Sequence, residues 1–247
     1  MNGFLTLTYQ EIVQREDFNY QDNKGLKIRQ HYRDKLPKNV FCYKDDFEKQ
    51  MQYLKENGYT TITLDDVKAF YYQNKALPEK SVLLTFDDMY ESIYVNAYPI
   101  LKKYGFNAVG FLVSGWVLDD NIEYSPKYSS CISNEQMQEM NDVFEYANHT
   151  DKIHVRDVNG PATLVLDEEA FIADIERCER ATTTKKVFAY PFGIYNSHTV
   201  EMLKNANFEL AFTTDMGYNT DKTNPLKLRR NAVVLGLDIE GFKNMLN

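Results

Sequence analysis

This chain predicts an α/β fold built on a parallel sheet, and three observations lead there. Short apolar runs alternate with amphipathic segments along most of the 247 residues, the pattern that strand-helix-strand units leave. One run, "SVLLTFDDM" at residues 81–89, is apolar up to Phe86 and then ends in two carboxylates, Asp87 and Asp88. Open α/β sheets and α/β barrels keep their chemistry at such C-terminal strand ends. The length suits a single α/β barrel, so one domain is expected over 1–247.

Taken in order, the expected strands are Phe4–Tyr9, Thr60–Leu64, Val82–Phe86, Ala108–Val113, Phe144–Asn148, Val187–Tyr190, Leu210–Thr214 and Leu226–Val234. Each is a short run of β-branched, aromatic or leucine residues. Between them, amphipathic spacing predicts helices over Asp45–Asn57, Asp65–Asn74, Ile93–Tyr104, Asn134–Asn141, Asp167–Arg180 and Ser197–Asn205. Asp45-Asp46 and Asp65-Asp66 open two of these helices, where carboxylates complement the positive end of the dipole. Ser133 and Gln136 have capping-box spacing, and Asp119-Asp120 reads as a loop. The polar stretch Gln14–Lys38 lacks a clean period and is expected as a long excursion at the rim, of the kind that shapes a substrate groove.

Composition narrows the function classes. A formal net charge of −8 argues against nucleic acid, whose phosphates require clustered Lys and Arg. No apolar run approaches the roughly 20 residues that span a bilayer, and no signal-type leader opens the chain. Either the protein is cytosolic, or an N-terminal anchor precedes this chain. Cys42, Cys131 and Cys178 have no C-x-x-C spacing and suggest neither a zinc knuckle nor a disulfide framework. The 18 tyrosines suit sugar-stacking surfaces and equally suit core and rim.

A second polar cluster follows the strand "FEYAN". His149 falls at its C-terminal end, as Asp88 does on its own strand, and His154 follows five residues later. An i, i+5 pair diverges on a regular strand or helix, so meeting on one ion requires a turn through Thr150–Ile153. One Asp and two His form a mixed oxygen and nitrogen set that zinc and similar divalent ions accept, with a position left for water. The same residues also describe a solvated Asp pair and two rim histidines with separate duties.

These motifs resemble those of the polysaccharide deacetylase family, the NodB-homology carbohydrate esterases, over nearly the whole chain. "TFDD" with the helix and strand after it resembles the first motif. "HTDKIH" is similar to the second motif in its wider-spaced, poly-N-acetylglucosamine deacetylase form, "FAYPFG" to the third, and "LKLRRNAVV" to the late strand that carries an arginine. The nearest resemblance is to extracellular or surface-anchored deacetylases of Gram-positive cell-wall glycans, including polysaccharide linkage units. The resemblance implies a distorted (β/α)7 barrel and metal-dependent removal of acetyl from an N-acetylated sugar, with an N-acetylated polysaccharide or cell-wall glycan as partner. Carried over, Asp88, His149 and His154 bind the metal, most simply Zn, and Asp87 is the general base. The Phe192 N–H is the oxyanion donor, and Tyr190, Pro191 and Phe192 meet the substrate. Tyr190 stands near where many relatives carry arginine. Arg230 is therefore the candidate charge partner of Asp87, with a purely structural salt bridge as its alternative. Asp215, in "AFTTDM", is a candidate for the fourth motif. Met89 stands where the family has glycine, which would reshape the floor of the site.

One position departs from the pattern. The family uses a histidine as general acid, either in a C-terminal "LxH" motif, which "VVLGLD" lacks, or in an N-terminal strand reading like "YHEI". This chain reads "LTLTYQEIV", with Gln10 in that slot. A carboxamide hydrogen-bonds but has no proton to give near neutral pH. Three readings stand: a histidine replaced to trap an inactive form, another group acting as acid, or a catalytically silent glycan binder of the same fold. The match of metal set and base favours the first.

Overall fold

The computed structural model describes residues 2–246, so Met1 and Asn247, the two ends of the expected domain, lie outside the described residues. Its main sheet comprises β1 (Gly3–Tyr9), β2 (Thr60–Thr61), β3 (Ser81–Asp87), β4 (Ala108–Leu112), β5 (Phe144–Asn148), β6 (Val187–Ala189), β7 (Leu210–Phe212), β8 (Tyr218–Thr220) and β9 (Asn231–Ala232). The path runs β7-β6-β5-β4-β3-β1-β8, with β9 also on β1 and β2 on β3. Every pairing in this sheet is parallel except β1 with β8.

The side-chain period of two explains why these strands read as unbroken apolar runs. Leu5, Leu7, Val82, Leu84 and Phe86 face one core, shared with the outer helices. Phe4, Leu83, Val109, Phe111, Ala147, Val187, Ala189 and Phe212 face a second core inside the curl of the sheet. The helix Leu64–Tyr72 contributes Leu64, Val67 and Phe70 to that inner core. At the C-terminal strand ends the inner positions turn polar, through Thr8, Thr85 and Asp87.

The sheet closes on itself through residues 225–233. Ala211 N–H donates to Pro225 O (2.8 Å), Leu228 N–H to Ala211 O (2.8 Å) and Thr213 N–H to Leu228 O (2.8 Å), after which Val233 N–H crosses to Thr8 O (3.0 Å). The expected strand Leu226–Val234 is therefore regular only at Asn231–Ala232, because its bonds go to two different neighbours in turn.

Two other expectations need correction. Thr60–Leu64 pairs only at its first two residues, since Thr63 and Asp66 form a capping box that starts the next helix at Leu64. Ile93–Tyr104 is a π-helical turn over Ile93–Ala97 followed by an α-helix over Tyr98–Tyr104. Pro99 has no N–H to offer the Val95 carbonyl, so the regular ladder cannot run through it. The strand Glu11–Val13 and the helix Ile239–Leu246 were not anticipated.

Candidate active site

The C-terminal strand ends surround a cavity of about 210 Å³. Asp87 is the last residue of β3, and alternation would send Asp88 to the opposite face. It does not, because Asp88 (φ 67°) and Met89 (φ 56°) both take left-handed backbone, which costs a non-glycine residue about 1 kcal/mol or more. Two adjacent carboxylates thereby reach one cavity. Met89 itself is buried under Gly110, where a Cβ would come within 2.6 Å of its sulfur. It belongs to the outer core rather than to the cavity lining, contrary to the expectation that it reshapes the floor.

Asp88, His149 and His154 are fully or almost fully buried, and one donor atom from each lies within 4.8 Å of the others. Asp88 Oδ1 is 3.4 Å from each His Nε2, and the two Nε2 atoms are 3.1 Å apart. Thr150, with φ 80°, begins the turn that folds His154 back onto His149. His149 Nδ1–H donates to Ala189 O at 2.7 Å, which leaves the Nε2 lone pair facing inward. Burial pushes the His154 pKa down to about 4, although the charge of Asp88 opposes this. The ring is therefore neutral and available as a ligand.

Asp88 Oδ2 accepts from Gln10 Nε2 (2.5 Å) and Tyr90 Oη (2.9 Å), whereas Asp88 Oδ1 is buried with no hydrogen-bond partner among the described residues. A carboxylate oxygen left open toward two imidazole nitrogens is what a divalent cation requires, so these three residues fit a metal.

Asp87 meets Arg230 in a two-pronged pair, Nη1 to Oδ1 at 2.6 Å and Nη2 to Oδ2 at 2.8 Å. Arg230 is fully buried, and its Nε–H donates to Thr213 O at 2.7 Å. Burial raises the Asp87 pKa, but the surrounding groups, Arg230 first and then His149 and His154, together outweigh it and hold the carboxyl below its ordinary range. Phe192 has φ 59° in the turn after β6. That turn is closed by Gly193 N–H to Tyr190 O and Ile194 N–H to Pro191 O, and neither bond uses the Phe192 amide. The Phe192 ring packs on His154, with centroids 4.5 Å apart.

Three sequence candidates lie elsewhere. Tyr190 and Pro191 are buried and do not line the cavity. Tyr190 donates to Leu226 O at 2.9 Å and stacks on Tyr195, so of the expected substrate trio only Phe192 remains at the cavity. Asp215 accepts from Tyr195 Oη, and only its backbone carbonyl meets Arg230, through the Arg230 N–H. In the opposite direction, sequence reasoning missed Tyr90, Trp116, whose ring lies edge-on to His154 at 4.9 Å, and the Asp34–Arg156 ion pair on the cavity wall. Asp34 comes from the polar excursion, which also lines the cavity with Leu26, Leu36 and Pro37.

A curled α/β sheet that brings an Asp-His-His cluster able to hold a metal ion beside an arginine-held carboxylate has the arrangement of a hydrolase. The chain belongs to the polysaccharide deacetylase family, whose profile matches residues 74–211, more than half its length. Over 202 residues it is 32% identical to a poly-beta-1,6-N-acetyl-D-glucosamine N-deacetylase of Staphylococcus aureus, covering 78% of this chain and 68% of that protein. A protein of the same name from Staphylococcus epidermidis is 27% identical over 231 residues, covering 84% and 78%. Among solved structures, Streptococcus pyogenes deacetylase PplD in complex with acetate has a TM-score of 0.77 at 23% identity, covering 99% and 98% of the two chains. IcaB from Ammonifex degensii has a TM-score of 0.74 at 23% identity, covering 100% and 96%. These two show the fold, a distorted barrel of the polysaccharide deacetylase type. The chain is thus an N-deacetylase-class hydrolase.

Proposed function

We propose that this chain removes acetyl groups from N-acetylglucosamine units of a surface or cell-wall polysaccharide, outside the cell or at its surface, using a zinc ion held by Asp88, His149 and His154. The observation that carries the reading is the meeting of that ligand set with the Asp87–Arg230 pair in one cavity. The names of the staphylococcal relatives support the sugar. A divalent ion bound there supplies Lewis acidity toward the acetyl oxygen and acidifies a water. Asp87, ionised and oriented by Arg230, accepts the proton of the attacking water. The Phe192 N–H, spared by its own turn, donates to the developing oxyanion.

Gln10 occupies the slot of the general acid without being able to fill that role, and its Nε2–H is engaged by Asp88. This favours slow turnover in the present form, and it gives the second reading, a glycan-binding protein of this fold, its specific support.

The test is the appearance of free amine on β-1,6-linked N-acetylglucosamine oligomers, with zinc content measured alongside. Amine should form and should vanish in Asp87→Asn, while Asp88→Ala loses the zinc. Release of acetate from O-acetylated glycan alone would overturn the amide reading, and full zinc content in the double variant His149→Ala, His154→Ala would overturn the ligand set.

A further inference from the structure

We infer that Asp174 is a positioning residue that builds the turn between His149 and His154 and so sets the spacing of the two imidazoles, an inference that rests on the ligand assignment proposed above. Asp174 lies on the helix Glu168–Glu179, where the other buried side chains are Phe171, Ile175 and Cys178. A carboxylate on this apolar face is 1% exposed and does not line the cavity. A buried charge is held only where donors surround it, and the donors here are the turn itself. Asp151 N–H reaches Asp174 Oδ1 at 2.8 Å, and Lys152 N–H reaches Oδ2 at 2.9 Å. One carboxylate thus holds the two successive amides at the middle of the His-to-His segment.

The other side of the turn is held by backbone. Ser114 N–H donates to Thr150 O at 3.1 Å and Gly115 N–H to Asp151 O at 3.0 Å. A Cβ on Gly115 would come within 2.4 Å of that oxygen, so the approach requires glycine. The helix is itself keyed to the end of β5, because Asn148 Nδ2–H donates to Ile175 O at 2.8 Å and to Glu179 Oε1 at 2.9 Å. Arg177 adds ion pairs to Asp151 and Asp174, but its side chain is 47% exposed, and such pairs contribute little. The two amide bonds to Asp174 are buried and charge-assisted, which makes them the strong members of the set.

The readout is zinc affinity, measured by competition with a chelator. Asp174→Asn keeps the volume but leaves one acceptor oxygen for two amides. Affinity should fall roughly 10- to 100-fold, the usual cost of losing an outer-shell partner, and the visible spectrum of the cobalt-substituted protein should change. Arg177→Gln should stay close to the parent, and Ile175→Val, which weakens the same helix without touching the turn, should lose stability but not affinity. A second measurement needs no variant. If turn and ion are linked, zinc must slow hydrogen exchange at the Asp151 and Lys152 amides, since coupling is reciprocal. Folded Asp174→Asn with parental affinity, or exchange at both amides indifferent to zinc, would overturn the inference. Failure of the unmodified protein to take up zinc would overturn the ligand assignment itself, and this inference with it.

Discussion

Replacing Arg230 with methionine removes the guanidinium that meets both oxygens of Asp87, at 2.6 and 2.8 Å. Truncating one partner of a fully buried pair costs about 3–5 kcal/mol, because a charge is stranded. Asp87 has an outlet that such a charge lacks, since its side chain keeps 14% exposure and faces the cavity, where it can take up a proton. The loss of stability should therefore fall below that range, at roughly 2–3 kcal/mol. The larger effect is on the acidity of Asp87, the proposed base. In the parent, burial is opposed chiefly by Arg230, with His149 and His154, and the carboxyl lies below its ordinary range, so the pair's stabilisation holds above that range and fades only as pH falls through the depressed value. In the variant burial loses its chief opponent, the pKa rises, and the ionised form is lost about tenfold for each unit by which it exceeds the assay pH. Measured as kcat/KM on N-acetylated oligosaccharide from roughly pH 5 to pH 9, with zinc content checked at each point, the acid limb should move upward. Arg230→Lys should lie between the two, because one ammonium cannot match both oxygens. A methionine variant that retains the parental acid limb would refute the assignment of Asp87 as a base tuned by Arg230.

Two further outcomes follow from residues around Asp88. Gln10→His should raise deacetylation by about 10²-fold or more, with zinc content and substrate affinity little changed, since an acid acting on the leaving group contributes mainly to the transition state. Equal rates in both forms would point to another donor, and glycan binding without turnover in either would favour the silent binder. Glu11 is a stability test. Burial, aided by the charges of Asp88 and Glu91 and opposed by the Ser92 and Ser129 hydroxyls, pushes its pKa up from 4.5 to about 7. The folded chain then holds a proton that the unfolded chain releases, so this contribution is complete below pH 4.5 and disappears as pH rises through about 7, a difference of roughly 3 kcal/mol. Glu11→Gln should match the parent near pH 4.5 and exceed it in thermal stability above pH 7, and parallel curves would discard the idea.

The strands legible in the sequence were those buried on both faces. β1, β3, β4 and β5 are buried throughout except at Asp87 and Glu145, and their bounds came within a residue or two. What could not be read is geometry that alternation does not encode. The left-handed step at Asp88 places two neighbouring carboxylates on one side, and nothing in "FDDM" announces it apart from the family likeness. Tyr190 follows β6 directly, and its residue type fits either a sugar platform or the core. Only its bond to Leu226 O shows that it belongs to the core. The excursion at 14–38 was visible as polar and aperiodic, but which of its residues face the cavity depends on contacts such as Gln30 with Trp116 and Asp34 with Arg156, more than 80 positions away. Asp174 was hidden by its place in a helical apolar pattern.

The irregular segment 225–233 closes the barrel and also carries Arg230. It bonds first to β7 and then to β1 without a long regular ladder, and the buried side chains of Arg230 and Asn231 add bonds to Thr213 O and Thr6 O. The guanidinium that holds both oxygens of Asp87 thus sits on the same segment that shuts the barrel. Shutting the barrel and seating the partner of Asp87 are therefore one event, and the acidity of Asp87 becomes a gauge of whether the barrel is shut.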